Sequence, residues 1–162
     1  MAGSVVDQTR LKLRYRNTMV IYISLLASVL AYALVVFVVT HSQPARPPAP
    51  QVGMSIYGAV LFLGLGIILG RRLFFSPSRL MRIVEEGGLN RLIDELANKT
   101  ILLGALSEAI ALLGLALSLI SQSPEHMWRL GAIAMLLLLR NVPRRSTWKR
   151  TLDNFSRITY EG

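Results

Sequence analysis

A run of 23 residues without a charged side chain, from residue 18 to residue 40, is the feature that most constrains this chain. A helix rises about 1.5 Å per residue and the hydrocarbon core of a bilayer is about 30 Å thick, so about 20 apolar residues are needed to cross it. Residues 52–70 and 100–121 form two further apolar runs, and only Glu108 interrupts them. The sequence therefore predicts an all-α integral membrane protein and excludes a water-soluble globule.

A fourth apolar run, residues 126–142, is shorter and carries Arg129 and Arg140 near its ends. It reaches across a membrane only if both arginine side chains extend outward to the polar boundary and the bilayer thins slightly. We expect it to span, although a re-entrant or interfacial segment is the alternative. The predicted fold is a four-span transmembrane helix bundle, a single membrane domain over residues 1–162.

The basic residues outside the four runs predict the orientation. In chain order, the segments outside the runs carry 4, 1, 6, 0 and 6 lysine or arginine residues, with Arg140 counted in the last. Loops that remain in the cytoplasm are enriched in lysine and arginine. The alternation predicts a plasma or inner membrane protein with both termini in the cytoplasm.

The net charge of +9 has two possible meanings, nucleic-acid binding or attraction to an anionic membrane. Because the charges lie at the ends of the apolar runs, the sequence favours the membrane, and no nucleic-acid partner is expected. In the basic tail, residues 143–162, each such charge contributes about 1 kcal/mol near an anionic leaflet. The residues expected to contact anionic lipid are Arg144, Arg145, Lys149 and Arg150.

The cytoplasmic loop, residues 71–99, contains a helical pattern. Ser and Pro near its start favour a helix beginning, and Gly87 and Gly88 favour a break. After that break, one apolar face is formed by Leu89, Leu92, Ile93 and Leu96. This pattern predicts an amphipathic helix that lies on the membrane or beneath the bundle, or that docks a partner.

Small residues recur at three- and four-residue spacing in the second and third runs, and this spacing is typical of close helix contacts in membranes. We therefore expect the second and third spans to pack together. The residues predicted to form that contact are Gly66, Gly70, Gly104, Ser107, Ala111, Gly114 and Ser118.

Glu108 lies eight residues inside the third run, about 12 Å deep. An ionised side chain there costs about 3 kcal/mol, so such residues usually face the protein interior and often mark ion pathways. Arg140 is a better candidate for a partner than Arg129, because its expected depth in the membrane is closer to that of Glu108. Three interpretations stay open: a structural pair, proton or ion binding, and a contact with another subunit.

Residues 104–120, GALSEAIALLGLALSLI, resemble the carboxylate-bearing helix of the proteolipid ring subunits of rotary ATP synthases and ATPases. The likeness covers these residues only, and a further apolar run follows them. In that family the matching glutamate binds a proton or a sodium ion, which would make Glu108 the carrier here. The resemblance rests on Gly104, Ala105, Leu106, Glu108, Ala109, Gly114 and Leu115.

No catalytic motif, cofactor site or metal site is recognisable, and the chain has no cysteine. The small size and the small-residue faces favour a non-catalytic accessory subunit that packs within a larger membrane protein complex. Its expected partners are membrane lipids and other membrane subunits. The alternative is proteolipid-like translocation of protons or sodium ions with Glu108.

Overall fold

The computed structural model describes residues 8–41, 50–143, 145–148 and 150–151, and the regular structure in this part of the chain is helical. Three helices, α1, α2 and α3, are long and apolar enough to cross a membrane, which confirms the predicted helical membrane fold at that level. The fourth, α4, has 17 residues and is about 25 Å long. The helices are α1 (Gln8–Thr40), α2 (Pro50–Phe74), α3 (Pro77–Ser121) and α4 (Glu125–Asn141).

The central helix is α3. In its most apolar window 44% of the residues are buried, against 17% for α1 and 11% for α2. The chain turns back at residues 122–124, so α4 packs antiparallel on α3. Helix α1 runs parallel to α3 and also contacts α4, while α2 packs on α3 from outside.

The contact between α1 and α3 depends on Gly104. A Cβ atom at this position would lie 2.9 Å from side-chain atoms of both Tyr22 and Leu25, so only glycine fits without a shift of these side chains. The close approach places the buried Tyr22 hydroxyl 3.1 Å from the backbone oxygen of Leu138, to which it donates. Three helices therefore meet beside Gly104.

The contact between α3 and α4 depends on Gly114 and Ser118. A Cβ atom at Gly114 would lie 2.9 Å from the Cβ atom of Leu130. The hydroxyl of Ser118 accepts a hydrogen bond of 2.7 Å from the backbone N–H of Met127, in the first turn of α4. This bond satisfies an amide that has no partner within its own helix. Ser107 and Ala111, between the two glycines, are also fully buried.

The predicted contact between α2 and α3 is wrong at Gly66. This residue is exposed, and a Cβ atom there would meet nothing within 4 Å. At Gly70 a Cβ atom would reach Leu103 of α3 at 3.7 Å, which is an ordinary contact. The small residues of α3 are already covered by α1 and α4, so α2 packs through the branched side chains of Val60 and Ile67 instead.

The predicted helix start and break in the loop are confirmed. Ser76 is the N-cap residue of α3, Pro77 follows it, and Gly88 has φ +71°, a value that favours glycine. The continuation differs from the expectation, because the helix after Gly88 does not end before the third span. It runs from residue 89 to Ser121 as one helix of about 50 Å.

The apolar face of residues 89–97 is buried beneath the bundle. It packs against Leu11 at the start of α1 and against Trp148, which is only 4% exposed. The ring of Tyr15 meets Trp148 edge-on at 5.8 Å between centroids. We call this end, where α1 begins and α2 and α4 end, the basic end of the bundle.

Replacing Gly114 with Ala should lower stability, because the new methyl group overlaps Leu130 and overpacking costs about 1–3 kcal/mol. Replacing Gly66 with Ala is the matched control, because it adds a methyl group in open space and favours helix formation. Thermal unfolding in a mild detergent, followed by circular dichroism, measures both. Equal melting temperatures for the two variants would contradict the assigned packing.

Candidate functional site

Glu108 is the only ionisable residue between Thr100 and Ser121, and it is half-buried where α3 faces α1. An ionised carboxylate at this depth needs compensation from the protein, because the hydrocarbon around the helices offers none. The identity of its partners therefore decides what this carboxyl group can do.

Two hydroxyl groups of α1 contact the same oxygen of Glu108. The Tyr32 hydroxyl donates to Oε1 at 2.9 Å, and the Ser28 hydroxyl is also in contact with Oε1. Ser28 and Tyr32 are four residues apart and so lie on one face of α1. Hydrogen bonds between membrane helices contribute about 0.6 kcal/mol on average, so the cluster adds modestly to the contact between α1 and α3.

The Ser28 hydroxyl is also 2.8 Å from the backbone oxygen of Leu25, within its own helix. A hydroxyl has one proton and can accept through its lone pairs. The Ser28 hydroxyl proton is therefore shared between the backbone oxygen of Leu25 and Oε1 of Glu108.

The expected pair of Glu108 with Arg140 does not form. No ion pair in the described part of the chain joins these two residues, and the Arg140 side chain is exposed at the end of α4. Glu108 is turned toward α1, where Ser28 and Tyr32 satisfy it. The structure therefore brings Glu108 together with neutral hydroxyl groups and leaves Arg140 in a different site.

Arg71, at the end of α2, caps the C-terminus of α4. Its Nη1 atom donates to the backbone oxygen of Arg140 at 2.7 Å and to Oδ1 of Asn141 at 3.0 Å. A cation is favoured there, because the last carbonyl groups of a helix lack partners and carry partial negative charge. Arg71 thus links α2 to α4.

Ser28 and Tyr32 are partners that the charge pattern of the sequence does not indicate, because both are neutral. One signal was present: a tyrosine lies inside the uncharged run of α1, with a serine four residues before it. This places two hydroxyl groups on one helical face at membrane depth. Polar residues within spanning helices are usually directed at partners inside the bundle.

The predicted lipid-contact residues are only partly described. Arg145 and Arg150 are exposed, as a surface contact requires, while Arg144 and Lys149 lie outside the described residues. Trp148, between them, is buried and holds this segment against the basic end.

At the opposite end of the bundle, the Tyr57 hydroxyl lies 2.9 Å from Nδ1 of His126 and links α2 to α4. Within the described residues, no three His, Asp or Glu side chains come close enough together to hold a metal ion. His126 therefore acts here as a hydrogen-bonding partner between helices.

The chain was compared with protein-family models, with curated protein sequences and with solved structures, and nothing matches it in any of the three.

Proposed function

We propose that the chain is a four-span membrane protein of the plasma or inner membrane, with both termini in the cytoplasm, and that it serves as a non-catalytic subunit of a larger membrane protein complex. The observation that carries the proposal is the exposed small-residue face of α2.

Three features support α4 as the fourth span. It packs antiparallel along α3, it is about 25 Å long, and Arg140 at its end can extend to the polar boundary. Its outward side is apolar, as contact with lipid tails requires. The large apolar residues exposed on it are Trp128, Ile133, Leu136 and Leu139.

The absence of cysteine from the sequence allows a direct test of topology. A single cysteine replaces Ser123, between α3 and α4, or Ser146, beyond α4. We expect a membrane-impermeant maleimide to label Ser123→Cys in intact cells and Ser146→Cys only after permeabilisation. Labelling of both positions from the same side would contradict the fourth span.

The exposed face of α2 supports assembly with another membrane subunit. Gly58, Ala59 and Gly66 are exposed, and a Cβ atom at either glycine would meet nothing within 4 Å. Lipid tails do not require glycine, whereas a neighbouring helix gains van der Waals contact from close approach at such residues. Within this chain α3 uses its small residues in that way, and α2 presents an equivalent face outward.

Replacing Gly66 with Ile should therefore separate the chain from its complex and leave its fold intact. The matched control is Ala132→Ile, which adds similar bulk at an exposed position of α4. Both variants should melt like the wild type in detergent, and only Gly66→Ile should lose the co-purifying subunits. A wild-type chain that purifies as a lone monomer would contradict assembly, and loss of the subunits in both variants would contradict the assignment to α2.

A second candidate function, proton translocation by Glu108, is favoured by the hydroxyl cluster. Ser28 and Tyr32 accommodate the carboxyl group without a neutralising cation, which suits a group that gains and releases a proton. The local resemblance to proteolipid ring subunits is consistent with this role.

For this candidate, a hydrophobic carbodiimide should modify Glu108 at low pH and progressively less as the pH rises, because it reacts with protonated carboxyl groups. Glu108→Gln should abolish proton flux in vesicles. Glu125→Gln is the control, because Glu125 is exposed at the N-terminal end of α4 and pairs with Arg129. Unchanged flux in Glu108→Gln would eliminate this function and leave the proposed subunit role standing.

A further inference from the structure

A cavity of about 770 Å³ opens at the basic end of the bundle. Its walls come from the C-terminal ends of α2 and α4, from the part of α3 between Leu80 and Leu103, and from the segment that contains Trp148. This volume lies within the range of about 300–1,000 Å³ that is typical of small-molecule sites. The role proposed above for the chain makes no use of this cavity.

The charged side chains among the described lining residues of the cavity are all positive. Arg71, Arg72 and Arg140 line it, and no acidic side chain is among its described lining residues. No ion pair within the described residues neutralises any of the three. Arg71 is fixed in place by its bonds to the end of α4. Three arginines therefore line one space without an anionic partner from the described chain.

Asn141 provides an independent indication of a ligand. This residue is 8% exposed and lines the cavity, and its Oδ1 atom accepts from Arg71. Its Nδ2 atom is enclosed and has no hydrogen-bond partner in the described part of the chain. Buried polar groups are nearly always bonded, so this donor requires an acceptor.

The walls of the cavity are amphipathic. Ile68 lies one turn before Arg71 on the membrane side, and Leu139 directly precedes Arg140. Thr147 and Thr151 line the side formed by the segment beyond α4. The arginines thus occupy the level where the apolar runs of α2 and α4 end, with apolar side chains toward the membrane and hydroxyl groups away from it.

We propose that this cavity binds one phosphate ester through Arg71, Arg72, Arg140 and Asn141. Guanidinium groups match phosphate oxygens with paired N–H donors. The Asn141 amide adds a neutral hydrogen-bond donor, and such a bond depends on the position of the phosphate and not on charge attraction alone. Basic pockets between membrane helices on the cytoplasmic side bind anionic lipid headgroups. The phosphate can belong to a phospholipid or to a soluble organic phosphate, and the experiment separates the two.

The test measures binding of phosphatidylglycerol and phosphatidylcholine to the purified full chain by native mass spectrometry. The variant Arg72→Gln/Arg140→Gln removes two cavity charges and keeps the Arg71 cap. The control Arg16→Gln/Arg82→Gln removes two exposed charges outside the cavity. We expect one phosphatidylglycerol to bind per wild-type chain. Binding should be at least tenfold weaker in the cavity variant and less than twofold weaker in the control.

Equal weakening in the two double variants would overturn the proposal, because general electrostatics would then explain the binding. Unchanged binding in the cavity variant would overturn it as well. If that variant does not fold, Arg72→Gln alone provides the same comparison against Arg82→Gln, since both side chains are exposed.

The second arm identifies the source of the phosphate. Glycerol 1-phosphate is added to the detergent-purified chain, and binding is measured in wild type and in the cavity variant. Saturable binding that depends on the cavity arginines assigns the site to a soluble phosphate. Binding of phosphatidylglycerol alone assigns it to a lipid, and binding of neither compound to the wild-type chain refutes the site.

Discussion

Close approach of α1 and α4 to α3 is the interaction on which the rest of this structure depends. In a membrane the hydrophobic effect does not drive helices together, because lipid tails are as apolar as leucine. Van der Waals contact and hydrogen bonds must therefore hold the bundle together. Gly104 lets α1 approach and Gly114 lets α4 approach. The hydroxyl of Ser118 then bonds the start of α4. The positions of the other polar groups follow from this three-helix arrangement.

Two kinds of polar site result, at different levels of the bundle. Within the apolar runs, Glu108 is satisfied by neutral hydroxyl groups of α1. At the basic end, Arg71 is satisfied by the terminal carbonyl group of α4 and by Asn141. In neither site is a described charge of opposite sign the partner. At these two sites, the side chain is compensated by dipoles and not by an ion pair within the described residues.

The sequence predicted the helical membrane class and the break at Gly88, because both depend on local patterns of charge and turn chemistry. For the apolar face that begins at Leu89 it left membrane contact, packing beneath the bundle and partner docking open, and the structure buries this face against Leu11 and Trp148. The sequence did not predict which helix each small residue faces. Gly66 and Gly104 have similar local surroundings, yet only Gly104 meets another helix. The choice of Arg140 as the partner of Glu108 failed for the same reason. Depth can be read from the number of residues, whereas the direction a residue faces depends on the positions of the other helices.

The parallel arrangement of α1 and α3 has a consequence for how this pair can change. Arg14 pairs with Asp94 at the basic end, and Ser28 contacts Glu108 fourteen residues further along each helix. In both contacts the residue numbers of the two partners differ by the same amount, so each contact independently fixes the register of α1 against α3. One residue inserted between Arg14 and Ser28 would rotate one contact about 100° away from its partner. Length variation is therefore tolerated in this stretch only when both helices change together.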